Sequence, residues 1–575
     1  MQTKPETPKL KTRIGMTKQI FETQFDVIVI GAGINGAGIA RDAAMRGLRV
    51  LLLEQGDIGG GTSSWSTRLI HGGLRYLEHG EFGLVRESLR ERRALLNIAP
   101  HLVRALPMLA PIYENARRGV WTIRAGMIAY DVLSFDKKLP RHRMLSREET
   151  LRRAPGLRSE GLVGAAVYFD AQVEFAERLV LENALSAAEH GATIITYARV
   201  DKLLVADGKI RGVEFTRVRS QRTTGTAGVS PADPTLSSDD ERHSTYAKVV
   251  LNAAGPWIDE LLAQASSEKS PRLIGGTKGS HIIVAPFAGA PDTAIYVEAE
   301  TDRRPFFIIP WNGNRLIGTT DIRYDGDLDK VAIESAEIDY LLRETNRVIP
   351  KANLTREHIL YTYSGVRPLP FISNKDAQSI TRKHFIRPHP HVDNLFSIVG
   401  GKLTTYRSLA EQTVDLVFKQ LGRSSPACAT DQERLPGAAI PDFEAFSKEF
   451  KQRHEFSEAT VDRLLRIYGT RSSLIAELIA NDASLAAVFD EETGAIAAEV
   501  VLAFRQELAQ TLSDCLLRRT MVGLNSSCGL DAVEAAASVA RKHLGWSESR
   551  MAQEIDAYRK EVSRRKLKPA ERVKA

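Results

Sequence analysis

Residues 25–54 constrain the fold of this chain more than any other stretch. They begin with the apolar, β-branched run FDVIVI, continue through GAGING into a segment of helical composition, and end with the apolar run RVLLLE. Short apolar runs of this kind are typical of buried parallel strands, and a helix between two of them makes a βαβ unit. The sequence therefore predicts an α/β domain that starts at this unit.

Three glycines lie at the turn between the first run and the helix. Gly31, Gly33 and Gly36 form G-x-G-x-x-G, in which the glycines allow a tight turn, close approach of a pyrophosphate, and close helix–strand packing. The helix N-terminus then faces the phosphates. Glu54 ends the second run about 20 residues further on, where a carboxylate binds ribose hydroxyls. We expect a bound dinucleotide, and Glu54 argues against the 2′-phosphate of NADP.

The order of segments favours FAD over NAD. Residues 280–369 contain short apolar runs separated by turns, which predicts an antiparallel sheet, and the α/β pattern resumes at VGGKLTTYR. A long cofactor can lie extended across a domain that is split in this way. The glycine pair before Lys402 opens another helix, whose amides can face the flavin or a phosphate.

Two segments have distinctive local patterns. LLVADGKIRGVEF places Asp-Gly between alternating apolar positions and predicts a hairpin. Residues 220–246 are rich in Ser, Thr, Pro, Gly and Asp, so they bury too little apolar surface to offset the entropy of ordering. We interpret them as a disordered loop inserted between two strands.

We also expect helices over residues 84–106 and 175–191, a strand over 192–200, and mostly helix after residue 436.

The charge and cysteine content narrow the possible partners and environment. The net charge is +7 and the pI about 9.1, which favours anionic partners such as phosphorylated metabolites, nucleic acid or a membrane surface, unless the charge only aids solubility. The three cysteines show neither metal-ligand spacing nor a disulfide pattern, so we expect no metal and a reducing compartment.

No apolar run approaches the roughly 20 residues of a spanning helix. WTIRAGMIAYDVLSF fits an amphipathic membrane stretch or core packing, and we favour core packing.

Several motifs together resemble one enzyme family. In order along the chain they are GAGINGAGIARDAAMRGL, TSSWSTRLIHGGLRYLEH, NAAGPW, KGSHIIV, IIPW followed by LIGTTD, YSGVRPL, ITRKH and VGGKLTTYRSLAEQ. They resemble the FAD-dependent, quinone-linked glycerol-3-phosphate dehydrogenases of the glycine-oxidase-like flavoenzyme fold. The match spans about residues 25–412, and DCLLRRTMVGLN matches the closing domain of that family more loosely.

The resemblance implies an α/β fold in which a Rossmann-like FAD-binding domain of the glycine-oxidase and glutathione-reductase type carries an antiparallel-sheet substrate domain and a C-terminal helical domain. Our expected division is as follows: a flexible tail (1–24), FAD-binding parts (25–110, 171–276 and 385–425), a substrate or cap segment (111–170), the antiparallel-sheet domain (277–384), the helical domain (430–562) and a basic tail (563–575).

The resemblance also implies a substrate pocket lined by Arg75, Tyr76, His281, Arg367, Arg382 and Lys402. Four of these carry fixed cations, which suit a phosphodianion, and arginine binds phosphate oxygens bidentately. Each has a simpler interpretation, because a single arginine is usually a solvated surface group and His281 can cap a strand. We expect Arg75, His281, Arg367 and Lys402 to be catalytic.

Residues 63–82 follow the second strand and can pass beside the flavin, with hydroxyls near the pyrophosphate and the glycine pair near the ring. The residues expected to contact non-covalent FAD are Gly31, Gly33, Ile34, Asn35, Gly36, Glu54, Thr62, Ser63, Ser64, His71, Gly72, Gly73, Val200, Gly255, Trp257, Gly401, Leu403 and Thr404.

The implied reaction oxidises sn-glycerol 3-phosphate to dihydroxyacetone phosphate, with hydride transfer from C2 to flavin N5 and electrons passed to a quinone. His281 is the better proton acceptor, because arginine stays protonated. The alternatives are an oxidase that uses oxygen, an amino-acid or amine oxidase, and a nucleic-acid-binding flavoprotein, for which no recognition motif is present. We expect a cytoplasmic protein attached peripherally to the anionic inner face of the cell membrane through its basic C-terminus, and a homodimer is the candidate assembly.

Overall fold

The computed structural model describes residues 23–78, 80–114, 116–134, 139–217, 242–264, 271–373, 380–454 and 456–567. In chain order, its strands are β1 (Gln24–Ile30), β2 (Val50–Glu54), β3 (Leu69–Ile70), β4 (Val103–Tyr113), β5 (Arg143–Ser146), β6 (Leu162–Val173), β7 (Thr193–Thr196), β8 (Ala198–Ala206), β9 (Lys209–Arg217), β10 (Arg242–Asn252), β11 (Thr277–Val284), β12 (Ala294–Glu298), β13 (Pro305–Trp311), β14 (Asn314–Gly318), β15 (Ile322–Arg323), β16 (Ile359–Arg367), β17 (Phe385–Pro388), β18 (Leu395–Val399), β19 (Val488–Asp490) and β20 (Ala495–Ile496).

The helices, in the same order, are α1 (Ile34–Met45), α2 (Leu74–Glu78), α3 (Phe82–Ile98), α4 (Val120–Leu133), α5 (Arg147–Arg153), α6 (Ala176–Glu189), α7 (Ile258–Leu262), α8 (Ser335–Val348), α9 (Tyr406–Gln420), α10 (Phe443–Arg453), α11 (Glu458–Tyr468), α12 (Ser472–Asn481), α13 (Ala497–Gln506), α14 (Leu512–Asp514), α15 (Val533–Leu544) and α16 (Glu548–Ser563).

The first sheet carries the predicted βαβ unit. Its strand order is β17-β18-β10-β1-β2-β7, and the pairs from β18 to β7 are parallel. The β1 strand is buried along nearly its whole length, as its continuous apolar run predicted. Strand β18 comes from the segment after the second sheet, so the α/β pattern does resume there as expected.

The second sheet builds the substrate domain. Its order is β15-β11-β14-β13-β12-β4-β6-β3, with β16 beside β11 and β5 beside β6. Its pairings are antiparallel, as predicted, except that β12 and β4 run parallel. That parallel pair is possible because no hairpin joins these two strands, which come from distant parts of the chain. Strand β4 begins in the expected FAD-binding part (25–110) and most of β6 lies inside the expected cap segment (111–170), yet the two strands pair in this sheet.

Three element boundaries differ from the sequence predictions. The helix expected over residues 84–106 ends at Ile98, because Pro100 disfavours helical backbone at Ala99, and strand β4 follows. The strand expected over residues 192–200 is interrupted at Tyr197, whose φ is +56°. The sequence analysis favoured core packing for the stretch that forms α4. Only the inner face of α4 packs in the core, because Trp121 on the outer face is 77% exposed.

The last five residues of the segment predicted as a disordered insert, 242–246, belong to strand β10. Strands β8 and β9 form the predicted hairpin, with Asp207 and Gly208 both at positive φ in the turn. Strand β9 then pairs with β10 from Gly212–Tyr246 to Thr216–Arg242. The prediction is therefore wrong for residues 242–246, whose backbone groups join the sheet. The rest of the insert lies outside the described residues.

Shortening this insert tests the interpretation drawn from its composition. Thr216 pairs directly with Arg242, so a short turn can replace residues 218–241 without moving either strand. Loop-closure entropy changes by only about 0.6 kcal/mol per doubling of loop length, so we expect flavin content, turnover and melting temperature to stay nearly unchanged. Absorbance spectra, steady-state assays and thermal melts check this. A large fall in melting temperature would show that the insert packs on the core.

The chain after residue 436 forms the predicted helical domain, with one small hairpin of β19 and β20. Its end does not form a separate tail from residue 563 onward. The Arg565 carbonyl accepts a hydrogen bond from the Thr362 amide at 2.8 Å, and Leu567 is buried in the substrate-domain core. That expectation is therefore wrong for residues 563–567, and residues 568–575 lie outside the described part. Strand β1 likewise begins at Gln24, inside the expected N-terminal tail.

Candidate active site

The glycine motif forms a backbone cradle at the start of α1. Gly31 has φ +100°, and a Cβ there would lie 2.7 Å from the Ala253 carbonyl oxygen. A Cβ on Gly36 would lie 1.9 Å from the Gly31 carbonyl oxygen, so helix and strand touch at that point. The Glu54 carboxylate accepts hydrogen bonds from the amides of Ala32 (2.7 Å) and Gly56 (2.8 Å). The acid therefore lies against the motif, where the sequence placed it.

Two distant segments converge on the N-terminus of α1. Ser63 Oγ accepts from the Ile34 amide at 3.0 Å, and Asn35 Nδ2 donates to the Gly400 carbonyl at 3.2 Å. Gly401 has φ +94°, and a Cβ there would meet the Asn35 amide at 2.7 Å. Asn35 Oδ1 is buried without a hydrogen-bond partner among the described residues. An open cradle with an unused buried polar atom fits a dinucleotide.

The glycine pair at 72–73 lies beside this cradle. The His71 amide donates to Thr404 Oγ1 at 3.2 Å, which joins the pair to the segment after Gly401. Gly73 has φ +76°, and a Cβ there would lie 2.2 Å from the Tyr76 ring. Burial lowers the pKa of His71, so its imidazole is neutral at pH 7. The two glycines therefore let the rings of Tyr130 and Tyr76 pack against the backbone, and contact of this pair with the flavin stays a prediction.

Some predicted cofactor residues use their hydroxyls within the protein. Thr62 Oγ1 donates to the Val366 carbonyl at 2.7 Å, and Ser64 Oγ donates to the Gly59 carbonyl at 2.6 Å. The hydroxyl proton of each is therefore unavailable to a pyrophosphate. Gly255 and Trp257 form a tight turn after β10, and Val200 is buried in β8. Direct contact of these residues and Leu403 with FAD stays a prediction.

Three arginines of the substrate domain surround one carboxylate. Asp321 Oδ1 accepts from Arg367 Nη1 at 3.0 Å, and Oδ2 accepts from Arg382 Nη2 at 2.9 Å. Arg304 Nη2 lies 3.4 Å from Asp321 Oδ2. Arg367 Nη2 also donates to Thr319 Oγ1 at 3.0 Å. The cluster has three guanidinium groups and one carboxylate, so it carries a net charge of about +2 and attracts an anion.

Asp321 is the site residue that the sequence analysis missed. Although burial opposes its ionisation, Arg367, Arg382 and Arg304 lower the pKa of Asp321 to about 2. Burial lowers the pKa of Arg367 to about 10, which leaves it charged at pH 7. Asp321 ends the LIGTTD motif, so the motif was visible, but nothing local in it shows that distant arginines meet there.

His281 lies inside β11 and faces the arginine cluster. It pairs with Gly318 on one side and Tyr363 on the other, so the alternative that it caps a strand is wrong. Its Nε2 lies 3.0 Å from Thr67 Oγ1, and its Nδ1 is buried without a partner among the described residues. Burial and then Arg367 lower the pKa of His281 well below its ordinary value. The imidazole is therefore neutral and has one nitrogen available to accept a proton.

Lys402 and Tyr76 form the opposite part of the site. Lys402 Nζ lies 3.8 Å from the centre of the Tyr76 ring and has no hydrogen-bond partner within the described part of the chain. Burial and, to a lesser extent, the charge of Arg382 lower the pKa of Lys402 to about 7, against the opposite effect of nearby acids. Arg75 lies in α2 beside Tyr76, and its contact with substrate stays a prediction.

The chain also resembles known families and proteins over most of its length. Residues 26–416 match the FAD dependent oxidoreductase family, and residues 428–551 match the C-terminal domain of alpha-glycerophosphate oxidase. A glycerol-3-phosphate dehydrogenase from Synechocystis is 45% identical over 549 residues, which cover 94% of this chain and 96% of that protein. The chain belongs to the FAD-dependent glycerol-3-phosphate dehydrogenase family.

Further relatives and a solved structure agree with this family. An aerobic glycerol-3-phosphate dehydrogenase of Staphylococcus epidermidis is 32% identical over 95% of each chain. A D-erythritol 1-phosphate dehydrogenase of Brucella abortus is 38% identical over 86% of this chain and 94% of that protein. The FAD complex of the glycerol-3-phosphate dehydrogenase from Bacillus halodurans has a TM-score of 0.76 and 29% identity over 96% of each chain.

These findings confirm the predicted fold class and the FAD cofactor. In this family member, the cradle around Gly31 and Asn35 is the part whose geometry fits FAD. No group of metal-binding side chains is found among the described residues, and none of the described helices has the length and apolar composition needed to cross a bilayer.

The C-terminal domain reaches the cofactor segment through ion pairs. Asp57, three residues after Glu54, accepts from Arg519 Nη1 at 2.7 Å and Nη2 at 2.6 Å, and it also pairs with Arg518. These arginines belong to the DCLLRRTMVGLN motif, which resembled the family only loosely. The motif therefore holds the loop that follows Glu54.

Replacing Asp321 tests whether the arginine cluster is built for an anion. Asp321→Asn leaves buried guanidinium groups without their carboxylate, so we expect a loss of about 3–5 kcal/mol of stability and a lower melting temperature. Inorganic phosphate should raise the melting temperature of this variant more than that of the wild type, because it replaces the missing charge. Thermal melts with and without phosphate measure this.

The control for this experiment is Asp325→Asn, which removes an exposed carboxylate paired with Arg272. An exposed pair contributes about 0–1 kcal/mol, so this variant should behave as the wild type does. If phosphate stabilises Asp321→Asn no more than the control, the cluster has a structural role only.

Proposed function

We propose that the protein oxidises sn-glycerol 3-phosphate to dihydroxyacetone phosphate and passes the electrons to a quinone. The observation that carries this proposal is the cluster of Arg304, Arg367 and Arg382 around Asp321, in which Arg367 acts electrostatically on the buried His281. The cations suit a phosphate monoester, and the neutral imidazole suits removal of a proton from a neighbouring hydroxyl. The names of the relatives support the same substrate.

The arginines would hold the phosphate and so fix the distance to the reacting carbon. Arg367 and Arg382 are bound to the same carboxylate, which orients both guanidinium groups before substrate enters. Such orientation lowers the entropy lost on binding and places the secondary hydroxyl near His281. Tyr76 on α2 would close the other side of the pocket, and contact of Arg75 with the substrate stays a prediction.

The proton and the hydride leave the substrate separately. Bound FAD supplies the acceptor, N5, for the hydride that leaves C2. His281 Nδ1 would accept the hydroxyl proton in the tautomer whose Nε2–H donates to Thr67 Oγ1. The C2–O bond then becomes a carbonyl. Arg367 itself does not take the proton, because it stays charged.

The titration of Lys402 gives a pH prediction. Its lowered pKa means that the free enzyme loses this cation as the pH rises through about 7. We expect KM for sn-glycerol 3-phosphate to rise above pH 7, and Lys402→Arg to move that rise to higher pH because arginine stays charged. Steady-state kinetics from pH 6 to 9 measure the KM profiles of the wild type and of Lys402→Arg. An unchanged KM profile in Lys402→Arg would remove Lys402 from phosphate binding.

We further infer that FAD is held without a covalent bond. Cys515 and Cys528 are buried in the C-terminal domain, and Cys428 bonds to Asp42 on α1 at 3.0 Å. The burial of Cys515 and Cys528 and the bond of Cys428 to Asp42 argue against a cysteinyl link to the flavin. Acid precipitation should release all flavin as FAD, and yellow colour retained in the pellet would contradict this.

The electron acceptor is tested by reoxidation of the reduced protein. After anaerobic reduction, we expect a soluble quinone analogue to restore the oxidised flavin spectrum at least tenfold faster than oxygen at equal concentration. Faster reaction with oxygen would favour an oxidase, to which the C-terminal match gives some support. D-erythritol 1-phosphate belongs in the substrate panel, because the relative from Brucella bears that name.

We also infer a cytoplasmic protein at the anionic inner face of the cell membrane, because a lipid-soluble quinone must be met at the bilayer. A homodimer is part of the same proposal. Equilibrium sedimentation and cell fractionation test these two points.

A further inference from the structure

Arg68 is a fully buried arginine in an unusual backbone conformation. It is 1% exposed and has φ +60°, which residues other than glycine seldom adopt unless their surroundings hold them there. Its amide donates to Ser66 Oγ at 3.2 Å. Its guanidinium donates to both carboxylate oxygens of Glu177, each at 2.7 Å, and to the Ser64 carbonyl at 3.1 Å. Both terminal nitrogens of the side chain are thus bound within the protein, and they fix the turn around Arg68.

The turn held by Arg68 places its neighbours against the proposed proton acceptor. Thr67 Oγ1 lies 3.0 Å from His281 Nε2. The Ser66 carbonyl accepts from the Tyr363 hydroxyl at 2.9 Å, and the centre of the Tyr363 ring lies 4.8 Å from that of the His281 ring. The Arg68 guanidinium lies over the Tyr363 ring at 5.9 Å. His281 therefore contacts a hydroxyl of this turn and a ring that the same turn binds.

The two ring nitrogens of His281 have different surroundings. Nε2 faces the Thr67 hydroxyl, whereas Nδ1 is buried without a partner among the described residues. A neutral imidazole carries its proton on one nitrogen, and the hydrogen bond that the ring makes decides which. A buried N–H without an acceptor is costly, so the proton belongs on Nε2, where Thr67 accepts it. Burial, and then the charges of Arg367 and Arg68, lower the pKa of His281 well below its ordinary value, which keeps the ring neutral.

We propose that Thr67 and Arg68 are positioning residues for His281, with the Arg68–Glu177 pair holding the turn and the Thr67 hydroxyl keeping Nδ1 of the imidazole free of a proton. When the substrate hydroxyl gives its proton to Nδ1, Nε2 keeps its own, and the imidazolium that forms still donates to Thr67. The electron pair of the C2–H bond leaves with the hydride for the flavin. Thr67 thus has the role of the group that orients the base in a catalytic triad. The use of Nδ1 as a base rests on the proposed function, whereas the hydrogen bond and the tautomer do not.

Anaerobic single-turnover reduction of the holoenzyme by sn-glycerol 3-phosphate tests the role of Thr67. Thr67→Val keeps the shape of the side chain but removes the hydroxyl, so the ring should place its proton on Nδ1. We expect flavin reduction at saturating substrate to be about ten- to a hundredfold slower, with the half-saturating concentration within about twofold of wild type. Thr67→Ser keeps the hydroxyl and should stay within about threefold of wild type.

Thr362→Val is the matched control, because Thr362 lies on β16 beside Tyr363 and its buried hydroxyl donates to the Arg565 carbonyl at 3.2 Å. This variant should be reduced as fast as the wild type. Reduction of Thr67→Val at the wild-type rate would overturn the proposal. A serine variant as slow as the valine variant would also overturn it, because the hydroxyl would then not be the cause. So would a change in the half-saturating concentration alone, since Thr67 would then act on substrate binding.

The role of Arg68 is tested with and without the Thr67 hydroxyl. Arg68→Gln/Glu177→Gln removes both charges of the pair, so no uncompensated charge is left in the core. We expect this double variant to be reduced about fivefold or more slowly, but to add less than about twofold in the Thr67→Val background, because both changes act on one hydrogen bond. Equal slowing in the two backgrounds would show that Arg68 does not act through Thr67.

The tautomer of His281 is measured without substrate. In holoenzyme labelled with ¹⁵N in its histidine rings, the His281 signals are assigned by their loss in His281→Gln. We expect a proton on Nε2 and a bare Nδ1 in the wild type, and the reverse in Thr67→Val. A bare Nε2 in the wild type would overturn the proposal. Failure of sn-glycerol 3-phosphate to reduce the wild-type flavin, with the expected tautomer present, would instead contradict the proposed function.

Discussion

Arg367→Ala is expected to lower kcat/KM for sn-glycerol 3-phosphate by about thirtyfold to a few thousandfold. Removing one partner of a buried charge pair typically costs about 2–5 kcal/mol, and about 1.36 kcal/mol corresponds to one decade in rate. Arg367 ends β16 and is bound to Asp321, which orients its guanidinium before the phosphate of the substrate binds. Steady-state kinetics with an artificial acceptor measure the change.

Two comparisons make this result specific. Glycerol, which lacks the phosphate, should be a poor substrate for the wild type and little worse for Arg367→Ala. Arg211→Ala, which removes an exposed arginine of β9, should leave both rates unchanged. Equal losses on the two substrates would show that Arg367 supports the fold or the flavin and not phosphate binding.

His281→Ala is expected to slow flavin reduction by about 10²–10⁴-fold, the range over which positioned acid–base groups act. His281 lies inside β11, and its ring packs against Gly318 of β14. A Cβ on Gly318 would lie 2.4 Å from that ring, so the glycine leaves the space that the ring occupies. His281→Gln keeps much of the volume and a hydrogen-bonding group but accepts no proton, so it should be nearly as slow. Single-turnover reduction under anaerobic conditions measures the step directly.

The flavin content of the two His281 variants is the control, since neither residue change touches the glycine cradle. If reduction in both variants stays within about threefold of wild type, His281 is not the proton acceptor. Lys402, whose pKa is about 7, would then be the next candidate.

The cofactor half of the site could be predicted because its chemistry is local. The glycine motif, the two buried runs and Glu54 fall within 30 residues, and their geometry follows from short-range backbone constraints. The structure places Glu54 against the Ala32 amide, as that pattern requires. Asn35 and Gly401 meet only after the chain has crossed the second sheet, and no prediction from the sequence paired them.

The substrate half depends on contacts that no local pattern reveals. Asp321 binds Arg367 and Arg382, which lie 46 and 61 residues further along the chain. Asp57 binds Arg519, 462 residues away. Such partners are fixed by the sheet order, and a single sequence contains no signal for them. The end of α3 before Pro100 was, by contrast, a local signal that the sequence analysis did not use.

Helix α4 shows a different limit on what can be predicted from the sequence. Its sequence is apolar on both sides, so periodicity alone did not show which side faces the core. Tyr130 and Met127 face inward because Tyr130 bonds to Gly72 and Asp170, and Trp121 is left outside. The stretch is therefore both core and surface, where the sequence analysis had treated these as alternatives.

The central claim is that the cations and His281 form one site for a phosphorylated secondary alcohol. The most direct measurement is anaerobic stopped-flow reduction of the bound flavin by sn-glycerol 3-phosphate, D-erythritol 1-phosphate, glycerol and an amino acid. We predict rapid bleaching of the flavin absorbance with sn-glycerol 3-phosphate, and at least a hundredfold slower reduction with glycerol and with the amino acid. Equal rates with glycerol and its phosphate, or reduction by the amino acid alone, would contradict the claim.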